Sequence, residues 1–238
     1  MRKAKSFLPF GAQQYVEMAR RGIAALRDED WYRLEWPPRR DFYSKAFKML
    51  SFNRISGDYA EFGCGQRSLT LAFRESRRVG LNCKLWGFDS FEGLPEREGL
   101  FDEHPKWVPG TMKEPIERLH QHARWYGLKP GTDYELVQGF YKETLRRKAL
   151  PQDLCLAYLD CDLHSSATDV LEFLQPRLKN GMIIAFDDYF CYSVEQMSGE
   201  RRASLEMFTE DPGWNLVPYV QFGWFGMSFV VEAKQSGH

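Results

Sequence analysis

Residues 57–68 read Gly57–Asp58–Tyr59–Ala60–Glu61–Phe62–Gly63–Cys64–Gly65–Gln66–Arg67–Ser68, and the fold is decided in this stretch. Tyr59 to Phe62 has the make-up of a short strand, Gly63–Cys64–Gly65 turns it, and Ser68 to Arg77 suits a helix. Glycines at such a turn let the backbone approach a ligand, and the helix start offers free N–H groups. A tight turn that binds nothing reads the same way. The dinucleotide pattern G-x-G-x-x-G is incomplete, because Ser68 stands where its third glycine would be.

Working outward, the alternation continues. Lys84–Asp89, Tyr134–Val137, Leu154–Leu159 and Met182–Phe186 read as further strands, separated by helices at Lys113–Tyr126 and Thr168–Leu178. A last helix near Arg201–Phe208 precedes two strands, Asn215–Val220 and Met227–Glu232. The turn Phe222–Gly223–Trp224 makes those two a hairpin. Upstream lie helices at Gln13–Arg27 and, after a break at Pro37–Pro38, at Asp41–Leu50 with Asp41 as N-cap. The expectation is an α/β fold: a doubly wound, Rossmann-like, seven-stranded and mostly parallel sheet, with a C-terminal antiparallel hairpin and N-terminal helices. Residues 1–54 are expected to form a helical segment that walls a substrate or contacts a second copy, and residues 55–238 the ligand-binding domain. Such sheets bind ligands beyond the carboxyl ends of their strands, where strand order reverses.

Composition narrows the function classes. The 238 residues are 43% hydrophobic and 27% charged, as in a globular chain. The formal net charge of −1 supplies no field for nucleic acid or an anionic membrane. Arg39–Arg40, Arg77–Arg78 and Arg146–Arg147 each lie near an acid, which suits solvated helix faces. Five cysteines without CxxC spacing suggest neither a disulfide framework nor a zinc site. The basic start, Met1 to Lys5, is followed by residues too broken to serve as a secretory signal, so a cytoplasmic location is expected.

Two strand ends carry candidate chemistry. Asp89 closes the second strand, where an acid can accept both hydroxyls of a ribose. Asp160 and Asp162 follow the fourth strand, and Asp187 and Asp188 the fifth. In a doubly wound order these strands are neighbours, about 4.8 Å apart, so the carboxylates converge. Crowded carboxylates repel unless protonated or neutralised by a cation, and an all-oxygen set suits Mg²⁺, Mn²⁺ or Ca²⁺. Asp162 and Asp188 acting as caps is the plainer alternative. Between them in sequence, Glu96 to Thr111 is a long loop with Phe101, His104 and Trp107, expected to close as a lid.

Four segments together resemble the macrocin O-methyltransferase family of class I S-adenosylmethionine-dependent enzymes. They are Gly57–Gly63, Gly87–Phe88–Asp89–Ser90–Phe91–Glu92–Gly93–Leu94–Pro95, Asp160–Leu163 and Phe186–Tyr189. The resemblance covers about residues 55–210. It implies that Glu61, Gly63, Gly65 and Ser68 hold the methionine side of S-adenosylmethionine. It places Asp89 and Ser90 at the ribose and Gly139–Phe140 at the adenine. Asp160, Asp187 and Asp188 fall where the family holds its divalent metal. His164, where relatives carry tyrosine, is the candidate base beside Asp160. The implied activity is metal-assisted O-methylation of a sugar or other small hydroxylated metabolite, as in natural-product pathways, by a possible homo-oligomer. A nicotinamide-dependent oxidoreductase and a non-catalytic S-adenosylmethionine-binding module are the alternatives.

Overall fold

In the computed structural model, which describes residues 8–65, 68–147, 149–210 and 213–234, the alternation of strands and helices forms one seven-stranded sheet. Met1–Lys5, Gln66 and Arg67 lie outside the described residues. The strands are β1 (Asp58–Phe62), β2 (Leu85–Asp89), β3 (Tyr134–Gln138), β4 (Leu154–Leu159), β5 (Ile183–Phe186), β6 (Trp214–Phe222) and β7 (Gly226–Ala233). Their order across the sheet is β3-β2-β1-β4-β5-β7-β6. β1 to β5 run parallel, β7 is antiparallel to β5, and β6 to β7. Every residue of β4 and β5 is buried, as expected of parallel strands covered on both faces. Strand order reverses between β1 and β4, so the crevice beyond their ends is where a ligand is expected.

The helices are α1 (Phe10–Leu26), α2 (Asp30–Arg33), α3 (Trp36–Phe52), α4 (Ser68–Arg78), α5 (Ile116–Trp125), α6 (Tyr141–Thr144), α7 (His164–Leu174) and α8 (Gly199–Glu210). One face of the sheet packs on α7 and α8 through Ala167, Val170, Leu174 and Phe208. The other packs on α3 and α4 through Phe42, Phe47, Leu50, Leu69 and Ala72.

Two helix starts differ from the sequence reading. Pro37 and Pro38 are not a break, because α3 begins at Trp36 with both prolines in its first turn, where the missing N–H costs nothing. Asp41 is therefore inside the helix and not its cap. The helix predicted from Thr168 begins four residues earlier, at His164, and ends at Leu174. No helix among the described residues is long and apolar enough to cross a membrane.

Candidate functional site

The turn after β1 is shaped by one backbone contact. Gly63 has φ +87° and donates its N–H to the Phe88 carbonyl at 2.9 Å. A Cβ there would lie 1.7 Å from the Asp160 carbonyl oxygen. Only glycine lets the β1 turn pass this close to the end of β4, and the pass brings Gly65 and Asp160 together.

A cavity of about 530 Å³ opens above this turn, within the range of small-molecule sites. Gly63, Gly65, Asp89, Ser90, Gly139 and Phe140 all line it, as do Asp160 and Asp162. The Asp89 carboxylate accepts the N–H of Cys64 at 2.8 Å and of Phe91 at 2.6 Å. Burial raises its pKa and those two N–H groups counter the rise; each oxygen retains capacity for a further donor. The Ser90 hydroxyl is spent within its own turn, donating to the Gly93 carbonyl at 2.8 Å and accepting the Glu92 N–H at 3.0 Å. That turn carries the lid. A Cβ on Gly93 would lie 2.4 Å from the Thr111 carbonyl oxygen, and Leu94 pairs with Thr111 and Gly110 across the lid's neck.

Glu61 sits beneath the cavity floor and is fully buried. Its carboxylate accepts the Ser68 hydroxyl and, at 2.8 Å, the Tyr59 hydroxyl, which meets Tyr43 at 2.9 Å. Burial pushes its pKa up to about 8 against the pull of these hydrogen bonds. Ser68 lines a different cavity, described below.

The four aspartates do gather at the ends of β4 and β5, which pair side by side up to Leu159 and Phe186. Asp187 is held by Arg39, with a 3.0 Å contact to its Oδ2, and by the Tyr158 hydroxyl at 2.5 Å. Asp188 accepts the Cys191 thiol at 3.1 Å and shares a hydrogen bond with Asp162. Burial and then the neighbouring charges of Asp187, Asp188 and Asp162 drive the Asp160 pKa well up; Asp188 is pushed up to about 6. Asp162 is not the cap of α7, since Leu163 holds that N-cap position without a side-chain bond. Its φ of +61° is uncommon for a non-glycine residue.

Oxygen-only donors and excess negative charge match the preferences of Mg²⁺, Mn²⁺ or Ca²⁺. Among the described residues, however, no three Asp, Glu, His or Cys side chains converge on one point as they stand. Arg39 supplies the compensating charge at Asp187, and an ion bound by Asp160, Asp187 and Asp188 requires Arg39 to yield that carboxylate.

Away from the junction lies His164. As the first residue of α7 it turns toward α8, where its Nε2 meets Glu206 at 2.7 Å and its ring packs edge-on against Phe101 at 5.4 Å. It lines neither this cavity nor the next, and joins α7, α8 and the lid.

The lid is closed. Asp102, buried within it, accepts the Ser165 N–H at 2.9 Å and the Ser165 hydroxyl at 2.7 Å. It thereby supplies the cap that α7 lacks locally. Glu200, fully buried, joins the two acidic strand ends by accepting the N–H groups of Cys161 at 3.0 Å and Asp188 at 2.9 Å. Its neighbour Gly199 permits the approach, since a Cβ there would sit 2.4 Å from the His164 nitrogen. Arg39, Tyr158, Asp102 and Glu200 are site residues that sequence reasoning missed. Each acts on a partner at least 29 positions away, and nothing local announces it.

A second cavity, about 600 Å³, adjoins the first at Gly65, Glu114 and Asp160. Its outer wall is aromatic, from Trp31 and Trp36, and its floor carries Arg39, Tyr158 and Asp187. The N-terminal helices thus wall a chamber that opens onto the carboxylates.

Comparison with known proteins agrees with this architecture. The macrocin-O-methyltransferase family profile matches residues 38–210. A 4'-O-methyltransferase of Streptomyces olivaceus, acting on 8-demethyl-8-(2,3-dimethoxy-alpha-L-rhamnosyl)-tetracenomycin-C, is 32% identical over 63% of this chain. Demethyldecarbamoylnovobiocin O-methyltransferase of Streptomyces niveus is 24% identical over 66%. The matches span 65% and 63% of those relatives' own lengths, less than two thirds of either. Among solved structures, the O-methyltransferase NovP superposes with a TM-score of 0.67 at 20% identity, over 81% of this chain and 79% of that one. A calicheamicin methyltransferase does so at 0.66 and 20%, over 96% and 88%. At these identities the likeness is one of fold.

Proposed function

The chain belongs to the macrocin-O-methyltransferase family of S-adenosylmethionine-dependent O-methyltransferases, and on that premise we propose that it methylates a hydroxyl of a sugar or sugar-bearing natural product. The observation that carries this reading is the meeting of two cavities at Asp160. One has the strand-end lining suited to S-adenosylmethionine, with Asp89 for the ribose and Gly139–Phe140 beside the base. The other has aromatic walls suited to the apolar face of an acceptor. The name of the Streptomyces olivaceus relative, with its rhamnosyl group, supports a glycosylated acceptor.

The cofactor brings an activated methyl group, so the protein's task is in-line positioning. Gly63 keeps the β1 turn low against Asp160, and Gly65 lies where the two chambers adjoin. The lid loop, pinned by Asp102 to α7, would exclude water from the transfer. The acceptor proton needs a base at the junction, and Asp160 is placed there. Burial and the neighbouring carboxylates raise its pKa, which makes it a stronger proton acceptor when it is ionised. Asp160, Asp187 and Asp188 would hold a divalent ion, whose chemistry when bound is to acidify and fix the acceptor hydroxyl. Support for that part is the donor chemistry and the crowded charge.

Calorimetric titration with S-adenosylhomocysteine and, separately, NAD tests the reading. Tight binding of the former and none of the latter is expected. Binding of NAD alone would transfer the chain to the oxidoreductase reading. Mg²⁺ titrations of wild type and an Asp187→Ala/Asp188→Ala variant test the ion: binding should be present in the first and lost in the second. A wild type indifferent to Mg²⁺ would leave Asp160 to act without metal help.

A further inference from the structure

Arg39, expected from the sequence to lie on a solvated helix face, turns inward to the acidic strand ends, while its neighbour Arg40 stays exposed. It projects from α3 onto the floor of the acceptor chamber, which Glu35, Asp160 and Asp187 also line. Its guanidinium is divided between two carboxylates. Nη1 reaches Oδ1 of Asp187, and Nη2 reaches Oδ2 at 3.0 Å, the forked geometry of a strong guanidinium–carboxylate pair. Nε and Nη2 also donate to Oε2 of Glu35, at 3.2 and 3.0 Å. With the Tyr158 hydroxyl donating to Oδ1 at 2.5 Å, both oxygens of Asp187 are engaged.

The two carboxylates are carried by different parts of the fold. Glu35 is the N-cap of α3, four residues before Arg39, so the pair stays together on one helix face. Asp187 follows β5 and belongs to the sheet. The Glu35 side chain is 25% exposed and that of Asp187 is 7%. The guanidinium therefore bridges the wet side of the chamber and its buried end. The rings of Phe222 and Phe225 face it at 5.8 and 5.6 Å, a surface that favours a cation in either position. Arg39 can leave Asp187 and keep Glu35. A buried carboxylate without a partner is costly, so Asp187 releases Arg39 only to another cation.

We propose that Arg39 is the resident counter-ion of the acidic strand ends and trades places with the divalent ion, with Glu35 receiving its guanidinium. The inference rests on the ion-binding part of the reading above. Without the ion, Arg39 neutralises Asp187 and steadies the crowded carboxylates. When the ion takes Asp187, the guanidinium turns onto Glu35 at the wall of the acceptor chamber. Arg39 is thus a positioning residue that lowers the ion's affinity and ties its arrival to the surface the acceptor meets.

The test is calorimetric titration of the full chain with Mg²⁺, after S-adenosylhomocysteine binding has shown that each variant is folded. Arg39→Gln should bind Mg²⁺ about tenfold or more tightly than wild type, since the ion no longer competes with a forked pair. In EDTA the same variant should melt below wild type, because its carboxylates have lost their counter-charge. A merely structural arginine would give the lower melt without the tighter binding. Glu35→Gln should weaken Mg²⁺ binding by about threefold or more, and should have no effect in an Arg39→Gln background. Arg39→Lys, which keeps the charge and loses the fork, should fall between wild type and Arg39→Gln. Equal or weaker Mg²⁺ binding by Arg39→Gln overturns the proposal, as does a Glu35→Gln effect of the same size in both backgrounds. Absence of Mg²⁺ binding by wild type and Arg39→Gln alike refutes the ion reading on which the proposal rests.

Discussion

At the scale of single residues, Glu61 shows what burial does to a charge. Its folded pKa of about 8 lies above the ordinary 4.5. Between those values the folded chain holds a proton that the unfolded chain has released, so stability falls as pH rises through that window and levels off above it. Replacing Glu61 with Gln removes this dependence. Without metal or cofactor, Glu61→Gln should gain on wild type between pH 5 and pH 8 by on the order of 2–4 kcal/mol. Urea denaturation of both proteins at the two pH values measures it. The other buried acids are common to both, so the difference isolates Glu61, and parallel pH slopes would refute the assignment. The residue was singled out only through the family resemblance. Its placement was not legible. Tyr59 and Ser68 claim its carboxylate from below, and that depends on side-chain packing across three elements. Arg39 was less legible still. In sequence it is one of a basic pair beside an acid, and its partner Asp187 lies 148 residues away.

At the scale of elements, strands were readable because a fully buried parallel strand must be apolar throughout, and Leu154–Leu159 was read to its observed ends. Helix starts were less so, because their caps need not be local. α7 was expected to begin at Thr168, and Asp162, the cap weighed for it, does not hold the N-cap position. The structure supplies the cap from Asp102, across the lid. This makes the lid and the helix interdependent. Asp102→Ala removes acceptors for Ser165 N–H, the Ser165 hydroxyl and the Glu98 N–H. A lost cap costs about 0.5–2 kcal/mol, and that cost falls on the lid's closure before it reaches the sheet. Trypsin should therefore cut at Arg97 or Lys106 about tenfold faster in Asp102→Ala, as expected for an opening free energy reduced by about 1.4 kcal/mol. The melting midpoint should move much less. Unchanged cleavage would show that the lid is held by its neck at Leu94 and Thr111 alone.

At the scale of the whole molecule, the boundary drawn at residue 54 divides two unlike parts of the N-terminal segment. α1 is peripheral: Glu17 and Ala24 are its buried residues, and Phe10 and Tyr15 meet Trp125 edge-on. α3 belongs to the sheet's own core, where Phe42, Tyr43, Ala46, Phe47 and Leu50 are fully buried and Tyr43 stacks on Tyr158 at 5.6 Å. The same helix presents Trp36 and Arg39 to the acceptor chamber, so the core that anchors α3 also sets the geometry of the site. Burying a large apolar side chain contributes about 1.5–3 kcal/mol. Losing the burial of the four large side chains of α3 would therefore forfeit an amount comparable to a whole domain's net stability of about 5–15 kcal/mol. Deleting residues 1–27 should leave a folded protein that binds S-adenosylhomocysteine, with a lowered melting midpoint. Deleting residues 1–52 should abolish cooperative unfolding altogether. Circular dichroism melts and cofactor titration of the two truncations measure this. Cooperative melting of the shorter chain would mean that the sheet folds without α3, and that the acceptor wall is a separable addition to it.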